Sequence, residues 1–288
     1  MGAPKCGTTS LYRYLKSHQN IVMSNPKEPH YFSSDINNGG VNNLEEYLKC
    51  FSESNSDCDI EAVGEASTMY LYSKVAIKNI LKFNSDAKFI VMLRNPVEIA
   101  HSFHQIALKV FGETEVDFIR AWELQDQRLN GHKVPMGCQD KKLLAYGEIA
   151  KLGAQVERLL SIVNKKKIFF ILFDDFIKST EKEYLSILSF LKINSKSLPV
   201  YRTYNKTRKI SSPFVTSLTN QMFGLKKKLG LSINLGIAKK IHNINQSNEK
   251  LGNLNGSVYS QLNNFFQKDI ELLSKLIKKD LSQWRNKK

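Results

Sequence analysis

Three observations in the amino-acid sequence predict an α/β fold, with a central parallel sheet flanked by helices. Short apolar runs of buried-strand type, Lys88–Leu93 and Ile168–Phe173, alternate with segments of helical period. Each run ends in a polar turn that opens a helix, the alternation expected of a parallel sheet covered on both faces. The chain also begins with Gly2-Ala3-Pro4-Lys5-Cys6-Gly7-Thr8-Thr9-Ser10, two glycines five apart followed by hydroxyl residues. Such a loop turns on its glycines and aims successive main-chain N–H groups at an anion beside the positive end of a helix.

Each element follows in order. Leu11, Tyr14, Leu15 and His18 fall at i, i+3, i+4 and i+7, which predicts a helix after the loop with His18 near its end. Residues 25–43 read as irregular chain, followed by a short helix near Leu44–Phe51. The strand at Lys88–Leu93 is ended by Arg94-Asn95-Pro96, where Asn95 is a natural N-cap and Pro96 suits the first helical position. Ile149, Leu152, Val156, Leu159 and Val163 mark another helix. The strand Ile168–Phe173 ends at Asp174-Asp175, and Thr180 with Glu183 makes a capping box for a helix faced by Tyr184, Ile187, Leu188 and Leu191.

Residues 194–256 are rich in Asn, Lys, Ser and Gly and read as a loop-rich lid or acceptor region. A last helix carries Leu262, Phe266, Ile270, Leu273, Ile277, Leu281 and Trp284. No repeat or Pro-rich linker divides the chain, so residues 1–288 read as one domain. Only Met1-Gly2-Ala3 precede Pro4, which leaves no room for the strand that usually leads into a phosphate loop. The fold is therefore expected to lack that first strand, and a longer native start is expected to add roughly six to ten apolar residues.

Composition narrows the function classes. The chain has 42 Lys+Arg against 27 Asp+Glu, a formal charge of +15, which points to an anionic partner. Lysine clusters such as Lys165-Lys166-Lys167 and Lys226-Lys227-Lys228 lack the interleaved aromatics that stack bases, and read as solvated faces. No apolar run approaches the roughly 18 residues that cross a bilayer, and no leader block is visible, so the expected location is cytoplasmic. Cys6, Cys50, Cys58 and Cys138 form no CxxC pair and read as free thiols, although Cys50 and Cys58 are spaced to bridge a loop. No metal cluster is visible.

The chemistry lies in the first loop. Nucleotide triphosphatases use GxxxxGK[ST], but here Thr8 follows Gly7 and the lysine stands inside the loop at Lys5. There it would sit beside the bridging oxygen of a bound anhydride, where leaving-group charge develops. Pro4-Lys5-Cys6-Gly7-Thr8-Thr9-Ser10-Leu11 resembles the 5′-phosphosulfate loop of sulfotransferases that use 3′-phosphoadenosine 5′-phosphosulfate (PAPS). The resemblance continues in order through Lys27-Glu28-Pro29-His30-Tyr31-Phe32 and Gly64-Glu65-Ala66-Ser67. It extends to Leu93-Arg94-Asn95-Pro96 with Ser102, then Ile171–Phe176, and finally Asp280-Leu281-Ser282-Gln283-Trp284. The nearest branch in pattern is the carbohydrate, heparan-sulfate-type group with its bacterial relatives.

This resemblance implies roles for particular residues. Lys5, Cys6, Gly7, Thr8, Thr9 and Ser10 would cradle the 5′-phosphosulfate, with Lys5 stabilising the departing phosphate. Arg94 and Ser102 would hold the 3′-phosphate. Glu28 would take the proton from an acceptor hydroxyl or amine, and His30 would assist it. The implied acceptor is a saccharide or another small hydroxyl or amine compound, with no metal required. Two positions depart from the pattern: Ala66 replaces a lysine common in that branch, which leaves Lys27 as a candidate cation, and Gly147-Glu148-Ile149 replaces Gly-x-Tyr.

Two rival readings stand beside it. A magnesium-dependent P-loop kinase or NTPase would use Ile168–Phe173 and Asp174 as the strand and carboxylate that hold the metal. A non-enzymatic protein that binds acidic glycan or nucleic acid would rest on the +15 charge alone, and no helix-turn-helix, zinc finger or base-stacking platform supports it.

Overall fold

The computed structural model describes residues 1–52, 59–194, 198–202 and 251–285, and the backbone alone of 208–210 and 246–250. Most of the loop-rich region read at 194–256, with Lys226–Lys228 and Cys58, lies outside the described residues. The chain forms two compact units: Met1–Ile99 with Lys151–Asn205 and Leu262–Lys288, and Ala100–Ala150 with Lys206–Gln261.

The first unit is built on parallel pairing. It contains α1 (Thr8–Lys16), β1 (Ile21–Met23), α2 (Leu44–Lys49), β2 (Ala62–Gly64), α3 (Ala76–Phe83) and β3 (Phe89–Leu93). Helix α4 (Pro96–Val110) starts in this unit and continues in the second, which also holds α5 (Phe118–Glu123), α6 (Gln125–Leu129) and α7 (Tyr146–Ala150). The first unit resumes with α8 (Leu152–Ile162), β4 (Ile168–Leu172), α9 (Phe173–Lys178) and α10 (Thr180–Leu191). Strands β5 (Arg208–Ile210) and β6 (Gln246–Lys250) pair antiparallel, and a long helix spans Gly256–Ile277.

Strand β3 pairs with β4 in parallel from Phe89↔Ile168 to Leu93↔Leu172, and β1 pairs with β2 from Ile21↔Ala62 to Met23↔Gly64. Residues 1–2 lie along the other edge of β3: Gly2 makes a parallel bridge to Met92, whose N–H donates to the Met1 carbonyl at 3.2 Å. Val91, Met92, Leu93 and Ile171 are buried on both faces, which explains why β3 and β4 read as continuous apolar runs. The three-residue strands β1 and β2 carry too few positions for a period to show, and sequence reading missed them.

The helices bury the faces their periods predicted. Helix α1 buries Leu11, Tyr14 and Leu15; α10 buries Tyr184, Ile187 and Leu188; the long helix buries Leu262, Phe266, Ile270 and Leu273. Asn95 caps α4 by accepting the Val97 N–H at 3.0 Å, with Pro96 as first helical residue.

Four expectations need correction. The helix read across Ile149–Val163 breaks at Lys151, because the Asp269 carboxylate accepts the Gly153 and Ala154 N–H groups (2.8 and 2.9 Å) and caps a fresh start. Strand β4 stops at Leu172, so Asp174 and Asp175 lie in the first turn of α9 instead of at a strand end. The Thr180–Glu183 box does not form: α9 runs to Lys178, Ser179 takes the cap position, and the Thr180 hydroxyl donates to the Phe176 carbonyl at 2.8 Å. The last helix ends at Ile277, with Lys278 left-handed (φ 56°), and Trp284 is buried on a separate turn, Ser282–Trp284.

In the second unit a buried ion pair organises the helices. Glu113 is fully buried and takes both Arg128 Nη groups (2.5 and 2.8 Å), the Tyr146 hydroxyl (2.5 Å) and the Thr114 and Glu115 N–H groups.

Candidate active site

The first loop turns tightly into α1. Lys5 (φ 68°) and Gly7 (φ 85°) are both left-handed, which turns the chain sharply into α1. No side chain caps α1 and its first turn holds no acidic residue, so neither offsets the positive end that faces the loop. A Cβ on Gly7 would stand 3.0 Å from the Phe173 ring, so only glycine leaves the loop in this path. The Cys6 side chain is fully buried, and burial first of all pushes its thiol up to about 12. Cys6 therefore presents no thiolate at this loop. Thr8 and Ser10 are also buried.

Arg94 stands at the end of β3 and joins this loop directly. Its Nη1 donates to the Lys5 carbonyl at 2.8 Å, its Nε and Nη2 both reach Glu98 Oε2 (2.8 and 2.7 Å), and its guanidinium lies 4.5 Å from the Phe173 ring centre. The sequence reading missed Glu98 and Phe173. Glu98 stands four residues on from Arg94, the spacing at which helix charges pair. Phe173 follows β4 as Arg94 follows β3, so the register Leu93↔Leu172 sets them side by side.

A second cluster gathers Glu28 and His30. Both residues have left-handed backbones (φ 65° and 55°), a strain that recurs at functional sites. The Glu28 carboxylate, 34% exposed, bonds Lys27 through Oε1 and His30 Nε2 (3.3 Å) and the Thr68 hydroxyl (3.4 Å) through Oε2. Burial works to raise its pKa, but the bond from His30 and the charge of Lys27 outweigh that and hold it at about 2. His30 is fixed from behind: its N–H donates to Ser67 Oγ (2.9 Å), and that hydroxyl donates to Glu65 (2.6 Å). Phe32, Tyr47 and Tyr70 form the floor, with Met1 and Tyr31 packed against them. The sequence reading missed Thr68, and it quoted Ser67 in the Gly64–Ser67 motif without assigning it a role.

The structure thus joins Lys5 to Arg94 and Glu28 to His30, all within the first unit. Ser102 is buried on α4 in the second unit. Asp174, the carboxylate that a magnesium site would need, accepts the Trp284 indole N–H at 3.0 Å, and the Trp284 carbonyl accepts from Asn95 (2.9 Å). Among the described residues, no group of three or more His, Cys, Asp or Glu side chains is placed to hold a metal, and no helix is long and apolar enough to cross a membrane.

An α/β fold with parallel strands, a glycine-turned loop at a helix start and an arginine tied to that loop is of the P-loop type. The chain matches the family described as "Sulfotransferase domain" over residues 1–284, and it belongs to that family. A sulfotransferase structure from Alicyclobacillus acidocaldarius superposes with a TM-score of 0.72 over 99% of this chain and 97% of that one, at 24% identity, and so shares the fold. The membrane-associated sulfotransferase kil1 of Dictyostelium discoideum is 32% identical over 109 residues, which is 38% of this chain and 22% of that protein's length.

Proposed function

We propose that this domain moves a sulfuryl group from PAPS to a hydroxyl or amine on an acceptor, which we read as a saccharide. The observation that carries the proposal is the bond from Arg94 Nη1 to the Lys5 carbonyl, which supports reading these two segments, 89 residues apart, as parts of one anion site. The residues fit the donor. The uncapped start of α1, the loop turned at Gly7 where a Cβ would crowd the Phe173 ring, and the Nη groups of Arg94 suit a ligand with phosphate at one end and phosphosulfate at the other. PAPS supplies an activated sulfuryl group on a phosphate leaving group.

The chain's own part is to neutralise and to take a proton. Lys5 and the α1 amides balance the charge on the leaving phosphate. Arg94 holds the 3′-phosphate. Glu28, ionised at neutral pH, accepts the proton of the attacking group. The bonds that keep Glu28 ionised also make it a weak base, so proton uptake is coupled to loosening of its bond to Lys27 or His30. Lys27 thereby supplies positive charge where Ala66 supplies none.

The saccharide reading rests on the likeness of Pro4–Leu11 and Lys27–Phe32 to the carbohydrate-type branch, and a cytoplasmic location is part of the same proposal. Incubating the protein with PAPS and a panel of mono- and oligosaccharides, then following adenosine 3′,5′-bisphosphate release and sulfated product by mass, tests it. Product that disappears in Glu28→Gln supports the reading; no bisphosphate release with any acceptor counts against it. The kinase alternative is disfavoured because Asp174 is engaged by Trp284.

A further inference from the structure

Arg94 has five N–H donors. Glu98 takes two on a single carboxylate oxygen and the Lys5 carbonyl takes one, which leaves one N–H on each Nη group. The guanidinium carbon lies over the Phe173 ring, 4.5 Å from its centre, and that ring also fills the space beside Gly7. The side chain is 20% exposed and Glu98 is 23% exposed, so solvent screens this arrangement only in part.

We propose that Glu98 and Phe173 are positioning residues that lock Arg94 as a brace between the donor's 3′-phosphate and the main chain of Lys5. The inference rests on the donor reading above and adds residues that reading did not use. Three contacts make the brace. Glu98 holds the inner edge of the guanidinium and turns the outer fork away from itself. Phe173 fixes its plane. The Nη1 bond holds the carbonyl of Lys5, a non-glycine residue in a left-handed conformation that needs such restraint. A long side chain that is already immobilised does not lose its rotamer freedom again on binding, so a phosphate meets a pre-organised fork. Arg94 also links the two ends of the ligand: a phosphate on its fork steadies the carbonyl of the lysine at the other end.

The test compares affinities for adenosine 3′,5′-bisphosphate and adenosine 5′-monophosphate, by calorimetry, in the wild type and in Glu98→Ala, Glu98→Gln and Phe173→Leu. The ratio of the two affinities isolates the 3′-phosphate. Glu98→Ala is expected to lower that ratio about tenfold, the scale of one charge-assisted hydrogen bond. Glu98→Gln, whose amide oxygen still accepts from Nε, recovers most of the loss, and Phe173→Leu lowers the ratio by a smaller factor. A merely structural role would weaken both nucleotides together and lower the melting temperature with the ratio unchanged; that result overturns the brace. A higher bisphosphate affinity in Glu98→Ala overturns it as well, because Glu98 would then be a competitor for Arg94. A wild type that does not distinguish the two nucleotides overturns the donor reading itself, and the brace with it.

Discussion

Substituting Gly7 by alanine separates the two reasons for glycine at this position. Its φ of 85° costs an L-residue about 1–2 kcal/mol. The new Cβ would also lie 3.0 Å from two atoms of the Phe173 ring, which must move and loosen its contact with Arg94. Crowding of this kind adds about 1–3 kcal/mol. Gly39 supplies the control, since its φ is 78° and nothing lies within 4 Å of its missing Cβ. Gly39→Ala should therefore lose only the conformational part, and Gly7→Ala about twice as much in total. At about 2–4 °C per kcal/mol the difference is readable in a thermal melt. Bisphosphate affinity should be untouched in Gly39→Ala and fall at least tenfold in Gly7→Ala, because the loop and Arg94 shift together. Equal losses of stability, with equal affinities, would refute the link between Gly7, Phe173 and Arg94.

Two further outcomes follow from buried charge. The Glu28 carboxyl is held at about 2, so its ion pairs stabilise the fold above the ordinary glutamate range, near 4.5, and that contribution is lost as pH falls from there towards 2. The interval corresponds to about 3 kcal/mol, reduced to about 1–2 kcal/mol because a third of the side chain faces solvent. Glu28→Gln should lower kcat by about 10²–10⁴ and flatten the acid slope of stability, measured by denaturant melts across that window; an unchanged slope sinks the assignment. Glu113→Gln leaves the Arg128 charge buried without its partner and should cost about 3–5 kcal/mol, seen as a large drop in melting temperature. A loss below about 1 kcal/mol would mean that the pair does not organise the second unit.

The fold was legible where a single physical signal dominated. Continuous apolar runs gave β3 and β4, helical periods gave α1, α10 and the long helix, and Asn95-Pro96 gave the start of α4. The errors lie where a distant residue decides local structure. Asp269 caps α8 from another helix and splits what reads as one periodic segment. Phe173 has strand character but follows the last paired residue, Leu172, and turns into α9.

The candidate site shows the same division. Lys5 was marked by chemistry and spacing and Arg94 by resemblance, and the structure brings them together. Glu28 and His30 were marked by resemblance, and they share a bond. Glu98 and Phe173 carry ordinary local signals, an i,i+4 charge and a residue after a strand. They gain meaning only when two strands are set in register, which no local pattern displays. Thr68 lies forty residues from Glu28 and leaves no trace in spacing, while Ser67 was quoted only as part of a motif and not for its bond to His30.

The measurement that bears most directly on the central claim is the melting temperature with adenosine 3′,5′-bisphosphate, against ATP, each with magnesium and with EDTA. A ligand at about 100 times its dissociation constant adds roughly 2.7 kcal/mol, about 5–10 °C at this chain length. The account predicts a rise of that size with the bisphosphate that survives EDTA and is lost in Lys5→Ala and in Arg94→Ala. A rise seen only with ATP and magnesium, and lost in EDTA, would contradict it and return the site to the kinase reading.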